Sequence, residues 1–165
     1  MKKIYTPKEW SKLAKKIKRI KGSGGKLIFT NGCFDVLHAG HEALLAFAKT
    51  QSGIVVVGLN SDESVRKLKG EGRPVNTARA RANQLLKTGS VDLIVIYNED
   101  TPQAITDYLE PDVLIKGDDY RFETTVGAPE VRQRGGEVLF FKKVPGLSTS
   151  SILSGKERNS ETNSK

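Results

Sequence analysis

The chain has 165 residues, 37% hydrophobic and 28% charged, a balance that suits one globular domain and excludes a disordered chain or two large domains. No apolar run approaches the roughly 18–20 residues of a membrane helix, and MKKIYTPKEW lacks the apolar stretch of a secretory signal, so a cytoplasmic protein without a membrane span is expected. The net charge of +8 suggests nucleic acid at first, but residues 1–26 carry +9 and the rest −1, so the excess belongs to one segment and no nucleic-acid partner is expected.

Thr6, Pro7 and Glu9 supply a cap, a first-turn proline and a capping-box acid, which predict a helix from Pro7 to about Lys21. Trp10, Leu13, Ala14, Ile17 and Ile20 share one face of it and must pack against the domain or a partner chain, while the lysines read as a solvated face. Gly22, Ser23, Gly24 and Gly25 read as a flexible linker. The expected organisation is a basic helix and linker over 1–25, a main domain over 26–155 and a polar, disordered tail over 156–165.

From residue 26 onward apolar strands alternate with helices. Strands are expected at Lys26–Thr30, Ile54–Leu59, Leu93–Tyr97, Val113–Lys116 and Glu137–Phe141, with helices near Ala39–Thr50, Thr77–Lys87, Pro102–Leu109 and Gly127–Arg134. Continuous apolar strands such as Ile54-Val55-Val56-Val57 suit a sheet covered on both faces. The expected fold class is therefore α/β, a doubly wound parallel sheet of five strands. Ligands bind beyond the carboxyl ends of such strands, which selects residues 31–41, 60–76, 117–125 and 142–151.

The first of these segments ends the run T-N-G-C-F-D-V-L-H-A-G-H and holds both histidines of the chain, His38 and His41. A strand end, a glycine turn and a helix start let both imidazoles and the helix's unpaired N–H groups face one point, a place suited to phosphate. Gly40 lets a ligand approach the backbone closely. The two histidines alone make a two-ligand site, short of the usual three or four zinc ligands, so no metal-binding residue is assigned. Neither a Walker-type G-x-x-x-x-G-K-[ST] nor a dinucleotide G-x-G-x-x-G follows the first strand. Cys33 can form no internal disulfide and reads as a packing cysteine rather than an activated nucleophile.

The run from Thr30 to His41 resembles the H-x-G-H signature of the cytidylyltransferase-like nucleotidyltransferases. Asn60-Ser61-Asp62, Lys69-Gly70, Gly72 to Asn76, Lys116 to Tyr120 and Gly146 to Ile152 follow in that superfamily's order. The resemblance covers about residues 5–153 and is closest to the bacterial heptose-1-phosphate adenylyltransferases, which make ADP-heptose for lipopolysaccharide. Glycerol-3-phosphate cytidylyltransferases come next. It implies a Rossmann-like fold with an extra amino-terminal helix, and attack of an acceptor phosphate oxygen on the α-phosphorus of ATP, releasing pyrophosphate without a covalent enzyme intermediate.

By this resemblance His38, His41 and Lys69 are the catalytic residues. Thr30, Asn31, Gly32, Phe34, Gly40, Arg81, Gly117, Asp119, Ser148 and Thr149 bind the nucleotide, with Asp119 at the ribose and Gly117 near the base. Asp35, Lys116 and Tyr120 bind the acceptor. Magnesium is the implied cofactor, held mainly by triphosphate oxygens. The implied partners are ATP (or CTP), a small phosphorylated sugar or alcohol, a separate sugar kinase of the same pathway and a second copy of the chain in a homodimer. Asp118 stands where the heptose enzymes carry glycine and resembles the glycerol-phosphate enzymes; Leu147 stands where they carry arginine, with Lys142 or Lys143 as substitutes. Two alternatives accompany the main reading: a cytidylyltransferase acting on glycerol 3-phosphate or a similar alcohol, and a nucleotide-binding scaffold without turnover.

Overall fold

The computed structural model of the chain describes residues 2–142. Ile4–Tyr5 form a short strand, β1, and a 3-10 turn at Pro7–Glu9 leads into helix α1, Trp10–Gly22. There follow β2 (Leu27–Gly32), α2 (Ala39–Lys49), β3 (Ile54–Asn60), α3 (Asp62–Lys69) and α4 (Ala78–Lys87). Then come β4 (Leu93–Tyr97), α5 (Gln103–Leu109), β5 (Val113–Gly117), α6 (Ala128–Gln133) and β6 (Glu137–Phe141). All strand pairs are parallel, in the order β1-β4-β3-β2-β5-β6. The fold is the doubly wound α/β class read from the sequence.

The sheet has six strands where five were expected. The additional strand is β1, whose two residues are too few to register as an apolar run; they pair with β4 through Ile4↔Ile94 and Tyr5↔Val95. Alternate side chains along each strand enter opposite layers, as a pleated backbone requires. Phe29, Val56, Val95 and Leu114 pack beneath α1, α5 and α6 with Leu13, Ile17, Ile105 and Val131. Val57, Ile94, Ile28, Val55 and Ile115 pack on the other face against Leu45, Ala82, Leu85, Ala43 and Ala48 of α2 and α4.

The apolar face of α1 therefore packs on its own chain's sheet, and Trp10 Nε1 donates to Ile96 O at 3.1 Å. The glycine-rich segment after it is a hydrogen-bonded helix stop rather than a loose linker. Gly22 is the last residue of α1, Ser23 N donates to Arg19 O and Ile20 O, Gly24 N to Lys21 O and Gly25 N to Ile20 O.

α3 occupies a stretch that the sequence left without an element. Ser61 Oγ accepts from Ser64 N at 3.2 Å and caps its start, and Gly70, at φ +94°, ends it in a conformation that favours glycine. Only Ser64 and Val65 of the helix are buried, so its apolar periodicity is faint. The central β2 lies between β3 and β5, and the chain winds outward from it in both directions. A crevice opens at such a switch point, beyond the carboxyl ends of the two strands. The expected tail over 156–165, Lys143 and the pair Ser148 and Thr149 lie outside the described residues.

Candidate active site

A cavity of about 600 Å³ opens at this switch point. Thr30, Asn31 and Gly32 of β2 line it, with Asn60 and Tyr97 from the ends of β3 and β4 and with Lys116 and Gly117 from β5. The amino terminus of α2 closes one side through His38, Gly40 and His41.

The two histidines form a capping box in which imidazoles replace the usual hydroxyl and carboxylate. His38 is the N-cap residue, and its Nδ1 accepts from Gly40 N at 3.1 Å and from His41 N at 3.4 Å. His41 Nδ1 accepts from His38 N at 3.3 Å. A neutral ring that accepts at Nδ1 carries its proton at Nε2, the nitrogen of each imidazole that the cap does not engage. The rings stack with centroids 3.6 Å apart, and Phe34 meets His41 edge-on at 5.0 Å. Phe34 also lines the cavity, on a turn where its φ of 47° swings the chain from β2 toward the histidines.

Two ionic centres, each with one buried partner and one partly exposed, hold the walls. The Asp35 carboxylate accepts from Arg73 Nε at 2.6 Å, Val75 N at 2.8 Å and Asn76 N at 3.0 Å, pinning the 70–76 loop to the loop after β2. Burial alone would raise its pKa, but the bonds from Asn76 N, Val75 N and Arg73 outweigh it and hold the carboxyl at about 2. Asp35 lines the cavity, but its carboxylate is engaged in this structural junction.

Arg81, expected among the nucleotide-binding residues, is fully buried and lies outside the cavity lining. Its guanidinium donates to Cys33 O and Asn60 O at 2.8 Å, Asn76 O at 2.9 Å and Asp62 Oδ1 at 2.7 Å. The H-bonding capacity that would meet a phosphate instead ties together the loops after β2, β3 and α3.

Lys116 is buried at the end of β5. Its ammonium donates to Asn31 Oδ1 at 3.1 Å and Asn31 O at 3.4 Å and lies 4.4 Å from the Tyr120 ring centroid. Burial pushes its pKa down to about 8, against the opposing pull of Asp119. Asp119 and Tyr120 line the same side of the cavity. Lys69, the last residue of α3, lines it from an exposed position beside Leu68. Burial raises the pKa of the Cys33 thiol, which keeps it a poor nucleophile. Among the described residues no three His, Cys, Asp or Glu side chains are grouped to hold a metal ion.

Thirteen expected site residues therefore gather on one cavity: Thr30, Asn31, Gly32, Phe34, Asp35, His38, Gly40, His41, Lys69, Lys116, Gly117, Asp119 and Tyr120. Asn60 and Arg73, quoted within the resembling stretches but given no role, join them, as do Tyr97 and Asp100, which were not singled out. The polar tip of Tyr97, at the end of the apolar strand LIVIY, was the available signal for one of them.

Residues 29–153 match the cytidylyltransferase-like family. The chain belongs to that family. This cytidylyltransferase-like chain is 48% identical over 152 residues to the bifunctional protein HldE of Mesorhizobium japonicum, a match covering 92% of this chain and 30% of the relative. The HldE of a Marinomonas species is 45% identical over 150 residues, covering 91% and 31%. The chain thus spans less than a third of the length of these curated relatives. Among solved structures, a lipopolysaccharide core biosynthesis protein from Thermoplasma volcanium superposes with a TM-score of 0.59 at 21% identity, covering 72% of this chain and 98% of that one. Pantothenate synthetase from Thermus thermophilus superposes with a TM-score of 0.60 at 17% identity, covering 98% and 70%. Both likenesses concern the fold of the cytidylyltransferase-like chain.

Proposed function

We propose that the chain transfers AMP from ATP to heptose 1-phosphate, releasing pyrophosphate and giving ADP-heptose for lipopolysaccharide or a related glycan. The observation that carries this reading is the stacked pair of His38 and His41 rings at the amino terminus of α2, lining one cavity with Lys69 and Lys116. Identities of 45–51% to proteins named HldE support the heptose acceptor.

In this reading an oxygen of the acceptor phosphate attacks the α-phosphorus, a new P–O bond forms, and the bond to the bridging oxygen of pyrophosphate breaks. Charge grows on the α-phosphate and on the leaving group. The two imidazoles at the positive amino terminus of α2 and Lys69 are the groups that meet that charge, already oriented before reaction. Thr30, Asn31, Gly32, Phe34 and Gly40 border the triphosphate, Asp119 the ribose and Gly117 the base, while Lys116 and Tyr120 take the acceptor phosphate. Asp35 acts by holding the loop that carries Arg73. Arg81 supports the site from within the core, and Ser148 and Thr149 are proposed at the pyrophosphate end.

Magnesium would enter with the nucleotide. The donor set fits an ion carried mainly on phosphate oxygens, because among the described residues no three His, Cys, Asp or Glu side chains are grouped to hold a metal and Asp35 is engaged by Arg73 and two backbone N–H groups. When bound, the ion would neutralise triphosphate charge. We further assign phosphorylation of the acceptor to a separate sugar kinase, the setting to the cytoplasm, where the triphosphate is made, and the assembly to a homodimer. No helix among the described residues is long and apolar enough to cross a membrane.

Asp118, next to Asp119, favours a second reading in which CTP and glycerol 3-phosphate are the substrates. Pyrophosphate release with magnesium, crossing ATP and CTP against heptose 1-phosphate and glycerol 3-phosphate, tests both. Release only with ATP and heptose 1-phosphate is expected. Release with CTP and glycerol 3-phosphate would replace the first reading with the second, and silence in all four would leave a nucleotide-binding scaffold.

A further inference from the structure

A single file of hydrogen bonds crosses the carboxyl edge of the sheet from the cavity to α3. Lys116 Nζ donates to Asn31 Oδ1 at 3.1 Å, Asn31 Nδ2 to Tyr97 OH at 3.3 Å, and Tyr97 OH to Asn60 Oδ1 at 3.0 Å. Asn60 Nδ2 then donates to Ser64 Oγ at 2.9 Å and Ser64 Oγ to Glu99 O at 3.3 Å. Its direction is fixed from both ends. An ammonium only donates and a backbone carbonyl only accepts, so each amide and hydroxyl between them has one orientation.

Tyr97 stands at the middle of this file. Its side chain is buried at the end of β4, paired in register with Asn60 of β3, while the four residues before it are apolar. Burial pushes its pKa up to about 12, so the hydroxyl keeps the proton it donates. A phenylalanine would serve the core equally well, and the hydroxyl is therefore the part of this residue that packing does not explain.

We propose that the Tyr97 hydroxyl is a positioning group for the acceptor-phosphate subsite: through Asn31 it holds the Lys116 ammonium at the cavity, and through Asn60 and Ser64 it ties that ammonium to α3, the helix that ends in Lys69. The proposal rests on the nucleotidyltransferase reading for the identity of the phosphate, but its geometry does not. The groups facing Lys116 are few. Asn31 O and Oδ1 come from β2 and the Tyr120 ring from the loop after β5; the charge of Asp119 favours the ammonium, and the Cys33 thiol, its pKa raised by burial, stays neutral where Lys116 titrates. Removing the Tyr97 hydroxyl leaves Asn31 Nδ2 without this anchor, so the acceptors of the ammonium loosen and its charged form is less favoured.

The test uses Tyr97→Phe, with Ser64→Ala as a second variant that cuts the far end of the file. Two readouts are taken: steady-state kinetics with the acceptor and ATP varied separately, and NMR titration of the Lys116 ε-methylene without substrates, assigned with Lys116→Arg. In Tyr97→Phe the acceptor KM is expected to rise about tenfold and the ATP KM by a smaller factor, about threefold, because Asn31 also borders the triphosphate. The Lys116 titration midpoint should fall by about half a pH unit or more, and by less in Ser64→Ala. A folded Tyr97→Phe protein with both quantities unchanged would overturn the proposal, even if it melted earlier. Should Tyr97→Phe fail to fold, the Ser64→Ala titration decides, a fall supporting the proposal and no shift overturning it. If the unaltered protein releases no pyrophosphate with any pair, the nucleotidyltransferase reading fails separately, and the substrate-free titration still decides whether the file holds Lys116.

Discussion

His38 and His41 each accept the other's backbone N–H at Nδ1 while their rings stack 3.6 Å apart. One pair of side chains thus caps α2 and presents the two donors proposed for the triphosphate. The roles separate by substitution. His38→Asn keeps a good N-cap, so unfolding stability should stay within about 1 kcal/mol. Pyrophosphate release should fall at least about a hundredfold, since a positioned donor to developing charge is lost. Urea unfolding and a turnover assay on the same sample check both numbers; full turnover in the variant would remove His38 from the chemistry.

Gly40 sits against the first of these rings. A Cβ added there would lie 3.0 Å from His38 Cε1 and 3.2 Å from His38 Nδ1. Alanine favours the helix over glycine by about 1 kcal/mol. Gly40→Ala should therefore hold or slightly raise the melting temperature while lowering turnover, because the His38 ring must shift from its cap. Loss of stability with turnover intact would contradict this account of Gly40.

The parts of this arrangement legible in the sequence are those that repeat a local rule. Continuous apolar runs such as Ile54 to Val57 gave five strands, and a glycine turn followed by H-A-G-H located the helix terminus at the cavity. What stayed hidden depends on contacts between distant segments. β1 exists because the edge of β4 accepts it, and its two residues carry no periodicity of their own. α3 is held by its caps and by Ser64 and Val65 rather than by a broad apolar face. Arg81 reads as a free cation in A-R-A-R-A until the carbonyls of Cys33, Asn60 and Asn76 are seen around it. The same holds for Tyr97, whose partners are 37 and 66 positions away.

Asp35 makes folding stability depend on acid pH. Its folded pKa of about 2 lies below the ordinary 3.8, so the unfolded chain binds the proton more readily. The stabilisation is complete above roughly pH 4 and is lost as the pH falls through about 2. Asp35→Asn should remove this dependence and destabilise the protein by about 1–3 kcal/mol at pH 7, since Arg73 and two backbone donors lose a charged acceptor. Unfolding midpoints measured from pH 2 to 7 check it. An unchanged slope in the variant would show that Asp35 is not the group responsible.

Arg81 offers the sharpest contrast between holding a fold and holding a ligand. Its guanidinium is fully buried and meets three carbonyls and the Asp62 carboxylate at 2.7–2.9 Å. Arg81→Met fills similar volume but leaves all four acceptors without their charged donor. Three carbonyls lose their donor, at about 1–3 kcal/mol for each one left buried and unsatisfied, while the Asp62 carboxylate, 42% exposed, can turn to solvent. Lys, with a point charge in place of the planar fork, cannot restore the set, so Arg81→Lys should also unfold early. In both variants the residual folded fraction should bind ATP with nearly unaltered affinity, measurable by titration at a temperature well below the transition. A stable Arg81→Met protein with weakened ATP binding would reverse the assignment and return this arginine to the nucleotide.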